Sequence, residues 1–350
     1  MLQLVKRNTC IPFVHKGTLK LNTLHVQCTL PGDGEIISSG CSLHEGQAGF
    51  REKRSCVDNI FSLTEIIQGR MREGQSTYAF FLDIQKAFDT VWHDGLWFKL
   101  WELGVRGRMW RVIKNMYDVS QSSVLLEGEK SQPFNLGQGV AQGCSMSPIL
   151  FSIFINQLLV EVEKAGIGIT IKKDVKVGGL MFADDFVGFT NNAEDLQTLI
   201  NVVQQFCNKW RLKSNIKKSA VMVFSKQVDT GACTWKWGDK EIPRVASYCY
   251  LGIEFASNGS WDSHVQKVIT SGKKKVNHLH RFLSNRNIST VARRLLLVSV
   301  LRPTLEYGSE VWACNKRQIA SLESIQLGAA KRYLAVLQKC VMKERGGYRF

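Results

Sequence analysis

"LMFADDFVGF", residues 180–189, sets two aspartates side by side inside an otherwise apolar run. Along a strand, successive side chains leave on opposite faces, so Asp184 and Asp185 converge only where a hairpin bends. The stretch therefore reads as two short strands joined through the acidic pair. A third carboxylate, Asp83, ends the apolar strand "TYAFFLDI" (77–84). Burying uncompensated carboxylates is costly, and a cation is the usual relief. Oxygen donors in small number suit Mg²⁺, whose other positions go to water and phosphate. Two such ions about 4 Å apart would stabilise the attacking and leaving oxygens of a phosphoryl displacement. The plainer alternative is an exposed polar turn. Phe182, Phe186, Val187 and Phe189 around the pair argue against it.

Outward from this centre the chain alternates helical and strand patterns. "CVDNIFSLTEIIQ" (56–68) is apolar at 57, 60, 61, 63, 66 and 67, which is helical spacing. "HDGLWFKLWELGV" (93–105) predicts a second helix, stopped by Gly104, and "RGRMWRVIKNMY" (106–117) a third. His93 falls at a helix start and needs no catalytic role. "SSVLLEG" (122–128) and "QPFNLGQGV" (132–140) predict a strand pair. Ser147 and Pro148 form an N-cap and first-turn pair for a single buried helix from Pro148 to Lys164. "NNAEDLQTLINVVQQFCNKW" (191–210) is a capped amphipathic helix and "KKSAVMVFS" (217–225) a strand. "TWKWGDKEIP" (234–243) and "SYCYLGIEF" (247–255) add further strands. After Asn258 the pattern is helical, with a boundary at Arg302–Pro303. Residues 1 to about 44 read as a loop or short irregular hairpin, being rich in turn residues.

The charge is less ordinary than the composition. With 44% hydrophobic and 22% charged residues the chain is a globular type, but 46 Lys/Arg against 30 Asp/Glu give +16. Such an excess favours a polyanionic partner, nucleic acid or an acidic membrane surface. It is concentrated: residues 246–350 hold 17 Lys/Arg and 6 Asp/Glu, so +11 of the +16 lies there. Ten cysteines include no CxxC pair and no Cys/His cluster with zinc spacing, and they read as reduced core thiols of an intracellular protein. His278 and His280 have no partner cluster. The first residues lack the long apolar segment of a signal peptide or anchor, and no membrane partner is expected.

These motifs together resemble a reverse transcriptase of the non-LTR (LINE-type) retrotransposons. "QAGFREKRSCVDNIFSL" resembles the fingers block and "FFLDIQKAFDTV" the first palm motif. "GVAQGCSMSPILFSIFIN" resembles the second, "FADD" the third and "NKWRLKSNIKKS" the fourth. "YCYLGIEF" resembles the primer grip and "LVSVLRPTLEYGSEVW" the helical thumb. The likeness covers roughly residues 46 to 336. It implies an α+β right-hand polymerase, with fingers and palm over residues 46–256 and a basic helical thumb over 257–350, after an unmatched leader of residues 1–45.

The resemblance also implies roles. Asp83, Asp184 and Asp185 would hold two Mg²⁺ ions, with Mn²⁺ a possible substitute. Phe88 would abut the sugar and disfavour ribonucleotides. Gln142 and Gly143 would contact the incoming nucleotide and template, Gly143 by letting the backbone approach closely. Arg51 and Arg54 would neutralise the triphosphate. Lys218, or its neighbour Lys217, would act as general acid for pyrophosphate. Tyr250, Leu251 and Gly252 would form the primer grip. Lys273, Lys274, Lys275, Arg293 and Arg294 would follow the backbone of a template–primer duplex, giving salt-dependent affinity. The expected partners are an RNA template, a DNA primer and deoxynucleoside triphosphates. The expected place of action, from the family's habit, is the nucleus.

Departures are visible too. Ala141 stands where an arginine commonly precedes the Gln-Gly pair, and residues 1–45 lack the usual upstream fingers segment. The sequence reads as a fragment of a longer open reading frame. Two rival readings remain at this level: a relic that binds nucleic acid without polymerising, and an intron-maturase-like RNA-binding protein.

Overall fold

The computed structural model describes residues 3–5, 43–172, 175–226, 233–285 and 287–345. Most of the leader expected to be irregular lies outside these residues. So do Cys10, Cys28 and Cys41. The chain divides into two compact units, Met1–Val245 and Ala246–Phe350.

In the first unit the elements run β1 (Gln3–Val5), α1 (Cys56–Arg72), β2 (Thr77–Leu82), α2 (His93–Glu102), α3 (Gly107–Asp118), β3 (Gln121–Leu126), β4 (Glu129–Lys130) and β5 (Phe134–Asn135). They continue with α4 (Ser147–Ile155), α5 (Gln157–Lys164), β6 (Ile169–Lys172), β7 (Val175–Val177), β8 (Gly179–Phe182), β9 (Asp185–Thr190), α6 (Ala193–Lys209), β10 (Ala220–Phe224), β11 (Lys236–Trp237) and β12 (Lys240–Glu241). The central sheet has order β10-β2-β9-β8, and every pairing in it is antiparallel. Strand β2 is buried along almost its whole length, as a central strand covered on both sides must be.

Helix α6 lies over this sheet. Its buried positions, Leu196, Leu199, Ile200, Val203 and Phe206, recur at three and four residues and make one apolar stripe. Asn192 caps it, accepting the Asp195 N–H at 2.7 Å. Helix α1 starts on a capping box in which Ser55 and Asp58 bond reciprocally. The core between sheet and helices is aromatic, with Phe80, Phe151, Phe154, Phe186, Phe206 and Trp210 at its centre. Lys99 is buried there. Its Nζ donates to the Phe154 carbonyl at 2.5 Å and lies 3.8 Å from the Trp210 ring centroid. Burial pulls its pKa down to about 7.

Two local expectations change. The helix expected from Pro148 to Lys164 is interrupted at Asn156. The backbone there stays helical (φ −50°, ψ −37°), while the Asn156 side chain accepts the His44 N–H at 2.7 Å. Ser147 is no cap: Met146 holds that position, and the buried Ser147 hydroxyl meets the Tyr117 hydroxyl at 3.4 Å. The cysteines also differ from expectation. Among the described residues only Cys207 is buried, whereas Cys233 and Cys249 are exposed.

The second unit begins with the hairpin β13 (Ser247–Tyr250) and β14 (Ile253–Ala256), then α7 (Asp262–Leu283), α8 (Thr290–Leu296), a wide π turn over Leu297–Leu301, α9 (Arg302–Glu306) and α10 (Lys316–Arg345). The hairpin was expected to close the palm, yet it belongs with the helices. Ile253 and Phe255 are buried, Glu254 pairs with Lys267 at 2.8 Å, and the Glu254 N–H donates to His264 Nδ1 at 3.2 Å. The π turn precedes Pro303, whose missing N–H disrupts the ordinary helical ladder. Helix α7 buries Val265, Val268, Ile269, Val276, Leu279 and Leu283 on one face. No helix among the described residues is long and apolar enough to cross a membrane.

Candidate active site

Strands β8 and β9 pair from Gly179↔Gly188 to Phe182↔Asp185. Ala183 and Asp184 are therefore the two central residues of a tight turn. Ala183 has φ 55°, the left-handed region that L residues avoid. In a two-residue hairpin turn this first position is usually glycine, so a strained alanine here marks a conformation held by its surroundings. On the other side of β9, the ladder with β2 ends at Leu82↔Phe186. Continuing that register one step places Asp83 opposite Asp185. The three aspartates thus gather at one end of two adjacent strands.

Their electrostatics agree. The Asp185 carboxyl is pushed up to about 6, first by desolvation, then by the charges of Asp184 and Asp83. Asp184 is raised by desolvation and by Asp83, and the N–H of its own backbone only partly offsets this. In both, burial is the first cause. Among the described residues no group of three or more His, Cys, Asp or Glu side chains forms a ready-made metal cage. A small set of mutually repelling carboxylates without a cage is how Mg²⁺ is commonly held, with water and substrate phosphates completing the shell. The donor set fits such an ion.

Asp83 is fixed by the loop before β10. Its N–H donates to the Ser219 hydroxyl at 3.0 Å, and its carbonyl accepts the Asn215 N–H at 2.8 Å. Lys217 and Lys218 lie in that loop, exposed, and Lys218 immediately precedes Ser219. A short 3₁₀ turn, Ala87–Thr90, carries Phe88. The Phe88 ring stacks on Phe151, with centroids 4.6 Å apart and planes 14° from parallel, and Phe50 meets it edge-on at 6.2 Å. The segment leading to Gln142 runs alongside: Val140 N–H donates to Phe88 O at 2.8 Å and Gln142 Nε2 to Asp89 Oδ1 at 3.2 Å. Phe88 and Gln142 therefore share one region of the first unit.

A family model described as reverse transcriptase (RNA-dependent DNA polymerase) matches residues 34–255, more than half of the chain. The chain belongs to the reverse transcriptase family. It is 26% identical over 293 residues to the RNA-directed DNA polymerase from mobile element jockey of Drosophila melanogaster, covering 81% of this chain and 31% of that protein. It is 31% identical over 236 residues to the retrovirus-related Pol polyprotein from type-1 retrotransposable element R2 of Popillia japonica, covering 64% and 33%. The chain spans about a third of the length of these curated relatives. In fold it is similar to telomerase from Candida tropicalis, solved with the TWJ fragment of telomeric RNA. The TM-score is 0.50 at 12% identity, over 84% of this chain and 44% of that one. The mixed α+β expectation and the resemblance to non-LTR retrotransposon enzymes both hold.

Several site residues of this reverse transcriptase look different once folded. Arg51 is half-buried, and its guanidinium donates to the carbonyls of His44 and Gln47, each at 3.1 Å, and to Glu45 at 3.2 Å. Arg54 is exposed and bonds the other Glu45 oxygen at 2.5 Å. Arg51 first, by its hydrogen bond and charge, and Arg54 after it lower the pKa of the Glu45 carboxyl. Gly143 has a φ of 88°, which favours glycine, and no described protein atom lies within 4 Å of an added Cβ, so the space beside its backbone is open.

In the second unit, Tyr250 is buried and Leu251–Gly252 form the hairpin turn, both at positive φ (46° and 84°). The Tyr307 hydroxyl donates to the Leu251 carbonyl at 2.9 Å. Lys273, Lys274, Lys275 and Arg294 are exposed. Arg293 is 2% exposed and turned inward, with Nη1 reaching the Leu283 carbonyl at 3.5 Å. It is therefore removed from the duplex-facing set.

Gln47, Asn215 and Ser219 escaped sequence reasoning as individual residues. Gln47 stands in the quoted "QAGF" stretch, but nothing local marks it.

Proposed function

We propose that this chain catalyses template-directed addition of deoxynucleotides to a primer 3′-hydroxyl, copying RNA into DNA. The observation that carries the reading is the gathering of Asp83, Asp184 and Asp185 at one end of β2 and β9, where burial first and neighbouring carboxylates second raise the pKa values of Asp184 and Asp185. In the reaction the 3′-oxygen bonds to the α-phosphorus, the bond to the β-phosphate oxygen breaks, and pyrophosphate leaves. Bound Mg²⁺, or Mn²⁺ in its place, supplies charge stabilisation to the attacking and leaving oxygens. Asp83 and Asp184 hold that charge in position, and Asp185 adds to the negative potential. Phe88, braced flat against Phe151, abuts the sugar and excludes a 2′-hydroxyl. Gln142 and Gly143 orient nucleotide and template. Lys218 donates a proton to the departing pyrophosphate. Tyr250, Leu251 and Gly252 support the primer end, and Lys273, Lys274, Lys275 and Arg294 follow the duplex backbone.

Primer extension tests it. Purified protein is given poly(rA)/oligo(dT), dTTP and Mg²⁺, beside Asp184→Asn. The expected result is extension by the parent alone. Extension surviving in Asp184→Asn removes the carboxylate assignment. No extension by a folded parent, with salt-dependent binding of the duplex retained, leaves a nucleic-acid-binding relic.

A further inference from the structure

The strained turn that carries Asp184 is held by a residue far away in sequence. Gln47 is completely buried. Its Oε1 accepts the Ala183 N–H at 3.2 Å and the Gly49 N–H at 2.9 Å, and its Nε2 reaches the Ala183 carbonyl at 3.4 Å. One side-chain amide thus engages both backbone polar groups of the single residue at φ 55°. The contact spans 136 residues of sequence.

The segment bearing Gln47 is itself tied to the sheet. Ala48 N–H donates to Met181 O and Met181 N–H to Gly46 O, each at 2.9 Å, so residues 46–48 add a parallel bridge to the edge strand β8. Arg51 fastens the segment from the other side through the His44 and Gln47 carbonyls. Gly49 approaches so closely that a Cβ there would sit 2.2 Å from the Ala183 nitrogen and 2.9 Å from its Cα. No side chain larger than hydrogen fits.

We propose that Gln47 is a positioning residue of the catalytic turn: its amide holds Ala183 in the left-handed conformation and so fixes where Asp184 and Asp185 point. The physical case is one of satisfaction and strain together. Alanine does not choose φ 55° unaided. The buried Ala183 N–H and C=O gain both partners from Gln47 only in that conformation, and lose them in any other. Gln47 touches neither substrate nor ion, and acts through the turn. This inference rests on the polymerase reading for its catalytic consequence, but not for its structural one.

The test uses Gln47→Met, an unbranched side chain of similar volume without the amide, and Ala183→Gly, which adopts φ 55° at no steric cost. Two quantities are read: kcat and KM for dTTP in primer extension, and Mn²⁺ affinity of the nucleic-acid-free protein by electron paramagnetic resonance titration. Gln47→Met is expected to lower kcat and weaken Mn²⁺ binding by about tenfold or more, as loss of a supporting residue behind a metal site does, with KM changed less. Adding Ala183→Gly to Gln47→Met is expected to recover most of both losses, because glycine no longer needs the clamp. A merely structural core glutamine would show no such recovery. Should Gln47→Met fail to fold, Gly49→Ala displaces the same turn with Gln47 intact, and the same paired losses are expected.

Mn²⁺ affinity equal to the parent's in a folded Gln47→Met or Gly49→Ala protein overturns the proposal. So does a double variant with no recovery. If the parent binds Mn²⁺ but does not polymerise, the functional reading fails while the titration still decides the role of Gln47.

Discussion

The hydroxyl of Ser219 accepts the backbone N–H of Asp83 at 3.0 Å and donates to the Asn215 carbonyl at 3.0 Å. The last residue before β10 thereby anchors the residue after β2, and the loop carrying Lys218 is pinned to the backbone of Asp83. Ser219→Ala leaves the Asp83 N–H without its acceptor. The expected cost is about 1–3 kcal/mol in urea unfolding, with a matching fall in kcat. A change below about 0.5 kcal/mol, the range of an inconsequential surface substitution, would mean the bond does not hold the strand end.

Asp185 has its carboxyl raised to about 6 from an ordinary 3.8. Between those values the folded protein keeps a proton that the unfolded chain releases. The stabilising contribution is therefore full below pH 3.8 and lost as pH rises through 6. Above pH 6 the charged carboxylate works against folding in metal-free protein. Asp185→Asn should raise the melting temperature at pH 8 without divalent ion and change it much less near pH ~4, where the unfolded chain also keeps most of its proton. The same change should cut primer extension by about 100-fold or more. Thermal melts at the two pH values and one extension assay check both halves.

His264 shows the opposite direction. Burial first, and the Lys267 charge second, lower its pKa to about 4 from 6.5. The Glu254 N–H bonds to Nδ1, which keeps the ring neutral. Here the unfolded state takes up the proton first as pH falls. Stability is full above pH 6.5 and declines toward pH 4, by on the order of 1–2 kcal/mol. His264→Asn keeps a side-chain acceptor and removes the titration. Its unfolding free energy should be flatter between pH 6.5 and 4, and an unchanged slope would place the acid sensitivity elsewhere.

Tyr307 fastens the turn of the β13–β14 hairpin, donating to the carbonyl of Leu251, itself at φ 46°. Tyr307→Phe keeps the ring and loses the bond. A loss of about 1 kcal/mol in stability is expected. Leu251→Gly, which removes the strain of a leucine in left-handed backbone, should offset part of that loss in the double variant. Additive melting shifts from the two changes would show that the hydroxyl does not support the turn.

The sequence determined much of this protein by itself, because the determining signals are local. Short apolar runs at Thr77–Leu82 and around Asp184–Asp185 mark strands, the three-and-four spacing of α1, α6 and α7 marks helices, and the order of the carboxylate motifs names the family. The tertiary structure alone decided the rest. Arg293 and Arg294 look alike in sequence, yet helix packing buries one and exposes the other. Arg51 reads as a free phosphate ligand until folding brings the carbonyls of His44 and Gln47 to it. The hairpin 247–256 looks continuous with the sheet before it until Ile253 and Phe255 bury with the helical unit. Gln47 is silent in any window of sequence, since its partner Ala183 lies 136 residues away. Periodicity reports which face a residue occupies. A hydrogen bond between distant segments exists only after the chain has closed, and the Ala183–Asp184 turn receives one of that kind.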